Sequence, residues 1–147
     1  MTMVTIPLEH SVFAARLTEH IMTRHPEKMM DNAFITERAV QAAKAFENAS
    51  FTGMSVEESM NEANRTLFQG LLFSPYMMVR EVVLNEFDYH EDDEELDEFT
   101  MQMLDMVTPV IQTHQPDDDF QGSREYAVLY DEIKDTINQY LIRNGIQ

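Results

Sequence analysis

The sequence predicts an all-α fold, a single-domain irregular bundle of about six helices over residues 1–147. Apolar residues recur at spacings of three and four almost from end to end, the pattern that places them on one face of a helix. Only four glycines and five prolines interrupt the chain, while twelve methionines supply flexible side chains that favour helix. A chain of 147 residues with 44% hydrophobic content has the size and composition of one folded domain.

The first two helices are predicted from their apolar stripes and their ends. A helix is expected over Leu8–Arg24, because Pro26 disfavours helical geometry in the residue before it. A second helix is expected over Ala33–Asn48, with Asp31 or Asn32 as its N-cap. Small alanines on the apolar stripe of this helix allow close packing.

The third and fourth helices are predicted from capping patterns. Ser55 is followed three residues later by Glu58, a capping box that opens the third helix, which should end around Gly70. Ser74 and the proline after it open a fourth helix through Phe87. The inward residues expected on the fourth helix are mostly β-branched: Val79, Val82, Val83 and Phe87.

The last two helices are predicted around a proline and a closing glycine. The fifth helix should start within an acidic run and continue to about Gln112, with Pro109 bending it or ending it early. Ser123 should cap the sixth helix, which Asn144 and Gly145 close. The apolar face predicted for the sixth helix consists of Tyr126, Tyr130, Ile133, Ile137 and Leu141.

Composition excludes several classes of protein. The chain has no cysteine, which removes disulfides, thiolate metal sites and cysteine nucleophiles. The N-terminal stretch lacks the basic flank and apolar run of a signal peptide, and no window approaches the eighteen apolar residues of a membrane span. We therefore expect a cytoplasmic protein.

Half of the net charge of −17 is local, because nine of the 27 acids lie between Glu86 and Glu98. An anionic surface repels phosphate backbones and anionic lipids, so the charge disfavours direct nucleic-acid binding through a basic face and adsorption on membranes. Cations and basic proteins are the partners that such a field attracts. The run itself is interpreted first as the solvated start of a helix, where acids are favoured, and second as a recognition surface.

The sequence contains no motif for a metal site, a nucleophile or a cofactor. A di-iron bundle needs Glu-x-x-His on two helices, and neither that spacing nor a zinc-protease or calcium-loop motif occurs. Glu86 and His90 sit four apart, a pair that is common by chance in an acidic chain. The best-placed serines already cap helices, and the glycines are scattered singly. We expect no metal and no cofactor.

Two polar side chains fall on helix faces that otherwise look buried, Glu86 and Asn64. A buried carboxylate requires a partner or has a raised pKa, which is typical of some catalytic acids. One hypothesis is therefore a small hydrolase or lyase with Glu86 as general acid or base and Arg38 and Asn64 near it. The favoured interpretation is structural: each side chain makes an interhelical hydrogen bond or ion pair, for example Glu86 with Arg38 or Arg16, or lies at a helix end in water.

The stretch from Ala63 to Phe87 resembles the central signature of a Bacteroidetes family, domain of unknown function 1896. The residues that carry the resemblance are Asn64, Leu67, Phe68, Gly70, Leu71, Phe73, Ser74, Asn85, Glu86 and Phe87. The flanking segments "RHP", "FITERA", "DDDF" and "EYAVLYDEI" extend it over nearly the whole chain. The resemblance implies a small, helical, cytoplasmic protein, and it transfers no active site.

The leading prediction is a non-enzymatic protein-interaction or regulatory module with a basic partner. Two alternatives stay open: the small enzyme that uses Glu86, and an acidic nucleic-acid mimic. Mimicry requires carboxylates spread at phosphate-like intervals over a broad face, whereas here they cluster in one short segment.

Overall fold

The chain is described by a computed structural model that covers residues 5–28 and 31–145, with side chains from residue 10 onward. Within these residues there are six α-helices, one short 3₁₀ helix and no strand. The all-α prediction with about six helices is confirmed. The α-helices are α1 Thr5–Arg24, α2 Asn32–Phe51, α3 Val56–Leu67, α4 Pro75–Glu86, α5 Leu96–Gln112 and α6 Arg124–Arg143, and the 3₁₀ helix is Phe120–Gly122.

The predicted helix starts at α2, α3 and α4 are confirmed by their caps. The carboxylate of Asp31 accepts hydrogen bonds from the first-turn N–H groups of α2. Ser55 and Glu58 form both bonds of the capping box, at 3.1 and 2.9 Å. The hydroxyl of Ser74 accepts from the N–H of Met77 at 3.0 Å. Each cap satisfies backbone donors that a helix leaves unpaired in its first turn.

The predicted end of α5 at about Gln112 is confirmed, so Pro109 does not end the helix early. One expectation about α6 is corrected. Ser123 occupies the N-cap position of α6, but its side chain makes no capping bond there. Its hydroxyl donates instead to the carbonyl of Phe120 at 2.7 Å, so the Ser123 side chain bonds to the 3₁₀ helix that directly precedes α6 and does not cap α6.

Contacts divide the chain into two compact units, and the first is Met1–Gln69. In this unit α2 packs against both α1 and α3. Small residues on α2 allow the close approach, since Ala39, Ala42 and Ala43 are all buried. The other buried apolar side chains of the unit are Phe13, Leu17, Ile21, Ile35, Ala49, Ala63 and Leu67.

The second unit is Gly70–Gln147, in which α4, α5 and α6 pack against one another. Val79, Val82 and Val83 are completely buried, as predicted. The buried face of α6 is centred on Leu129, Ile133 and Ile137, whereas Tyr126 and Tyr130, which were predicted on that face, are only half-buried. Burying one such aliphatic side chain stabilises a fold by about 1.5–3 kcal/mol. That both units form one domain over residues 1–147 stays a prediction.

The start of the second unit is fastened by one carboxylate. Gly70 has a φ of +80°, a left-handed conformation that glycine adopts without strain. Its N–H and that of Leu72 donate to the two carboxylate oxygens of Asp118, at 2.8 and 3.1 Å. The glycine of the central family-like motif and an aspartate of the C-terminal "DDDF" segment therefore form one structural contact.

Candidate functional site

Glu86 is exposed, so the buried carboxylate that the enzyme hypothesis requires is absent, and the favoured structural interpretation, a contact between helices at a helix end, describes the residue. It is the last residue of α4. Its helical spacing places it on the same face as the buried valines, but the helix ends there and the chain leaves the core. Its carboxylate accepts a hydrogen bond from the Tyr130 hydroxyl at 2.9 Å and lies 3.2 Å from the Lys134 ammonium. The suggested partners Arg38 and Arg16 are therefore replaced by two residues of α6.

The surroundings of Glu86 favour its ionised form. The Tyr130 hydroxyl, and then Lys134, hold the pKa of the Glu86 carboxyl below its usual value of 4.5. A general acid needs the opposite shift, because it must keep its proton near neutral pH. The environment thus disfavours Glu86 as a catalytic acid.

Arg38 has a structural role at the end of α3. Its Nη1 donates to the carbonyl oxygens of Thr66, Leu67 and Gln69 at 3.3, 3.1 and 2.8 Å. The guanidinium also lies over the Phe34 ring, 4.7 Å from its centroid. The last carbonyls of a helix lack intrahelical partners, so the cation of Arg38 on α2 acts as a C-terminal cap of α3.

Asn64 makes the interhelical hydrogen bond that the structural interpretation predicted. Its Oδ1 accepts from Nη1 of Arg16 at 3.0 Å, which joins α3 to α1. The same nitrogen lies 3.5 Å from the sulfur of Met60. The bonds of Asn64 and Arg38 thus lie within the first unit, while those of Glu86 lie within the second.

A cavity of about 670 Å³ opens in the second unit beside the segment that joins α4 to α5. We call residues 87–95 the acidic link and this cavity the acidic pocket. Its walls combine four apolar or aromatic side chains with five carboxylates, and no basic residue lines it. The lining residues are Phe87, Asp88, Tyr89, Asp92, Asp93, Glu94, Glu95, Phe99 and Leu141.

Stacked aromatic rings form part of the pocket wall. The rings of Tyr89 and Phe99 lie 4.8 Å apart between centroids and only 16° from parallel. Burial, and then the negative charges of Glu95 and Asp93, raises the pKa of the Tyr89 hydroxyl. The tyrosine is therefore neutral at physiological pH, and the negative charge of the pocket comes from its carboxylates.

The acidic link is held in place by short-range contacts. The carboxylate of Asp93 accepts from the N–H of His90 at 2.8 Å, and the N–H of Asp93 donates back to the His90 carbonyl at 3.0 Å. Arg80 of α4 lies 3.8 Å from Glu91 of the link. These contacts use Asp93 and Glu91. Among the residues that the structure describes, the side chains of the other pocket acids make no hydrogen bond or ion pair, and these are Asp88, Asp92, Glu94 and Glu95.

The first turn of α5 is fastened beside the link. The Tyr76 hydroxyl donates to Asp97 at 3.0 Å, and Nε of Arg80 lies 3.9 Å from the same carboxylate. Burial, with the Asp97 carboxylate second, raises the pKa of Tyr76 to about 12. The first turn of α5, which follows the acidic link, is thus bound to α4 beside the pocket.

The pocket suits an organic cation better than a bare metal ion. In the described part of the chain, no group of three or more histidine and carboxylate side chains converges in a way that could hold a metal. An aromatic face attracts an ammonium or guanidinium group, and the methylene stem of a lysine or arginine packs on apolar surface while its charged end stays among carboxylates.

No helix among the described residues is long and apolar enough to cross a bilayer.

The aromatic wall is the feature that sequence reasoning missed. In the sequence, the acids between Glu86 and Glu98 form a charge cluster, and its aromatic neighbours Phe87 and Phe99 fall in the predicted fourth and fifth helices. The available signal was the placement of Phe87 and Tyr89 among the first acids of the run and of Phe99 directly after its last acid. The contribution of Leu141 from the end of α6 has no local signal, because it depends on tertiary packing.

Comparison with known proteins gives the family of the chain. The chain is similar, at 29% identity, to the protein PG0816 from Porphyromonas gingivalis, whose crystal structure matches with a TM-score of 0.89 over 98% of both chains. No curated protein matches. The family model described as "Domain of unknown function (DUF1896)" matches residues 6–146. The resemblance carried by the central motif is thereby confirmed, and the chain belongs to the DUF1896 family.

Proposed function

We propose that this protein is a non-enzymatic interaction module of the cytoplasm that docks a basic protein partner at the acidic pocket. The observation that carries the proposal is the composition of one cavity: stacked aromatic rings and a leucine form its apolar wall, and carboxylates surround them. Such a wall matches the long side chain of a lysine or an arginine, which has an apolar stem and a cationic end.

The charge of the whole chain supports the same partner. A net charge of −17 attracts a basic protein over distances near the Debye length, about 8 Å at physiological ionic strength, and raises the rate of encounter. The long-range field brings the partner to the surface, and the pocket selects the side chain that enters. Affinity should therefore depend on salt, while selectivity should depend on the aromatic wall.

The structural roles of the other candidate residues support a module without catalysis. Arg38 and Asn64 are engaged in bonds that hold the first unit together, and Glu86 lies ionised at the surface. None of these environments favours Glu86 as a general acid, and its lowered pKa makes the carboxylate a weaker general base as well.

A peptide-binding assay tests the proposal. The probe is a fluorescent, unstructured peptide that carries several lysines and arginines, and the matched probe is the same peptide with its lysines acetylated and its arginines replaced by glutamines. We expect anisotropy to report binding of the cationic probe that weakens as salt is raised, and no binding of the neutral one. The triple substitution Asp92→Asn, Glu94→Gln, Glu95→Gln should weaken binding about tenfold, since exposed charge pairs contribute about 0.2–1 kcal/mol each.

A control with the same net charge separates the pocket from the general field. Asp105→Asn, Asp131→Asn and Asp135→Asn together remove three exposed carboxylates that do not line the pocket. This control should weaken binding less than the pocket triple does. Equal weakening by both sets would mean that the field alone binds the peptide, and absence of binding at low salt would overturn the proposal.

The aromatic wall is tested by Tyr89→Leu, which keeps an apolar side chain at this position but removes the ring. We expect weaker binding of the cationic peptide with unchanged salt dependence, because the number of charges is the same. The nucleic-acid mimic is a separate outcome of these assays. It would be indicated if the protein displaced DNA from a basic DNA-binding protein at low salt and the pocket triple displaced it as well as the control triple.

A further inference from the structure

A second cluster of titratable side chains lies at the junction of α5 and α6, apart from the acidic pocket. Both ring nitrogens of His114 contact carboxylates of α6: Nδ1 lies 3.1 Å from Glu125, and Nε2 lies 2.7 Å from Glu132. The two glutamates are seven residues apart, which is two turns along one helix face. The ring is therefore held between them, with only 12% of its side-chain surface accessible.

The number of protons on the ring decides whether both contacts are favourable. A protonated imidazole donates from both nitrogens and satisfies both carboxylates. A neutral imidazole has one N–H, so the lone pair of its other nitrogen would face a carboxylate oxygen. Both short contacts are therefore favourable at the same time only when the ring is an imidazolium, because each acceptor is an ionised carboxylate.

The backbone beside His114 is in an unfavourable conformation. Gln115 has a φ of +47°, a left-handed geometry that costs a residue with a side chain roughly 1–2 kcal/mol. Pro116 follows, and a proline disfavours right-handed helical geometry in the residue before it, which here is Gln115. The turn is closed by a hydrogen bond from the Gln115 N–H to the carbonyl of Gln112 at 3.1 Å. Contacts that hold His114 therefore also hold a strained turn.

The other groups around the ring have assigned contacts. The 3₁₀ helix presents the uncharged ring of Phe120, whose centroid is 6.2 Å from that of His114. Ahead of it, the carboxylate of Asp117 accepts from the N–H of Asp119, and Asp118 binds the start of the second unit. Asp105 of α5 and Arg124 and Asp131 of α6 are exposed.

We propose that His114 is a pH-sensitive latch, which fastens the end of α5 to α6 when the imidazole is protonated and releases the turn as the pH rises. The hydrogen bonds to Glu132, and then to Glu125, raise the pKa of His114 above its ordinary value of 6.5. A raised pKa means that the stabilisation is fully present below the unfolded pKa. It is lost as the pH rises through the folded pKa.

The latch is tested on the full chain by two measurements. An NMR titration of the imidazole should give a His114 pKa above 6.5, with a larger decrease on Glu132→Gln than on Glu125→Gln because the Glu132 contact is shorter. Hydrogen exchange of the amides of residues 112–123, except Pro116, corrected for intrinsic rates, should accelerate as the pH rises from 6 to 8. The increase is at most about tenfold per pH unit, the limit for release of one proton.

The substitution His114→Gln supplies the comparison, because glutamine keeps a hydrogen-bonding side chain but does not titrate. In this variant the corrected exchange should not change with pH between 6 and 8. A His114 pKa at or below 6.5 in the wild type would overturn the proposal, and so would the same pH-dependent exchange in the variant. If His114→Gln fails to fold, the titration and the two glutamate variants decide the question.

Discussion

The hydroxyl of Tyr130 donates a hydrogen bond of 2.9 Å to the carboxylate of Glu86, at the surface between α4 and α6. The same hydroxyl accepts from the side-chain amide of Asn85 at 3.2 Å. The tyrosine thus joins two residues of the family-like motif to α6. This relationship replaces the buried acid of the enzyme hypothesis with a surface contact between helices.

We predict that the Glu86–Tyr130 contact stabilises the fold above the unfolded pKa of the carboxyl and loses its effect in acid. The folded pKa is lowered, so the stabilisation is lost as the pH falls through that value. Glu86→Gln should lower the melting temperature at pH 7, and the difference from wild type should shrink as the pH falls below 4. Thermal unfolding followed by circular dichroism at several pH values measures this.

Two neighbouring variants check the cause. Tyr130→Phe should raise the carboxyl pKa of Glu86 more than Lys134→Gln does, because the tyrosine hydrogen bond has the larger effect. Side-chain carboxyl shifts in NMR report both values. A Glu86 pKa above 4.5 in the wild type would contradict the account and revive the general-acid hypothesis.

We predict that Arg38 stabilises the first unit through the end of α3. Arg38→Met keeps an unbranched apolar stem but removes the cation that three carbonyl oxygens share. Loss of hydrogen bonds to a charged group costs about 1.5–3 kcal/mol, so the free energy of unfolding should fall by about that amount. Chemical denaturation in urea measures it.

Arg65 is the matched control, because it is also an arginine of the first unit but is 74% exposed and pairs with Glu62 on its own helix. Arg65→Met should change the free energy of unfolding by less than about 0.5 kcal/mol. If the two variants were equally stable, the capping role of Arg38 would be wrong.

Features that depend on neighbouring residues were predictable, and those that depend on tertiary contacts were not. The capping box of Ser55 and Glu58 is correct because both partners lie within one turn. The buried Glu86 of the enzyme hypothesis is absent because periodicity gives the face of a helix but not the point where the chain leaves the core.

The two clusters of greatest functional interest required long-range packing. Tyr89 and Phe99 stack across the end of the acidic link, and His114 meets carboxylates that follow it by 11 and 18 residues. In the sequence, the second cluster had only one signal, the spacing of Glu125 and Glu132 by two helical turns. Spacing alone does not indicate which side chain would lie between them.

Pro109 shows tertiary packing overriding a local signal. A proline inside a helix removes one backbone hydrogen bond and crowds the preceding turn, so an early end to α5 was one expectation. The helix continues to Gln112 instead. Val107 and Ile111 lie on either side of the proline and are buried, so their burial stabilises the helical conformation through it.

We therefore predict that Pro109→Ala stabilises the protein. Alanine restores an N–H that can donate to the carbonyl of Asp105, and Pro109 is exposed, so its removal costs no core contact. Proline is about 3 kcal/mol less favourable than alanine inside a helix, and a position near the helix end reduces the gain to about 1–2 kcal/mol. Urea denaturation should show a higher midpoint with an unchanged slope. The control Gln102→Ala, exposed on the same helix, should gain less than about 0.5 kcal/mol, and an equal or lower midpoint for Pro109→Ala would mean that the helix has adapted to its proline.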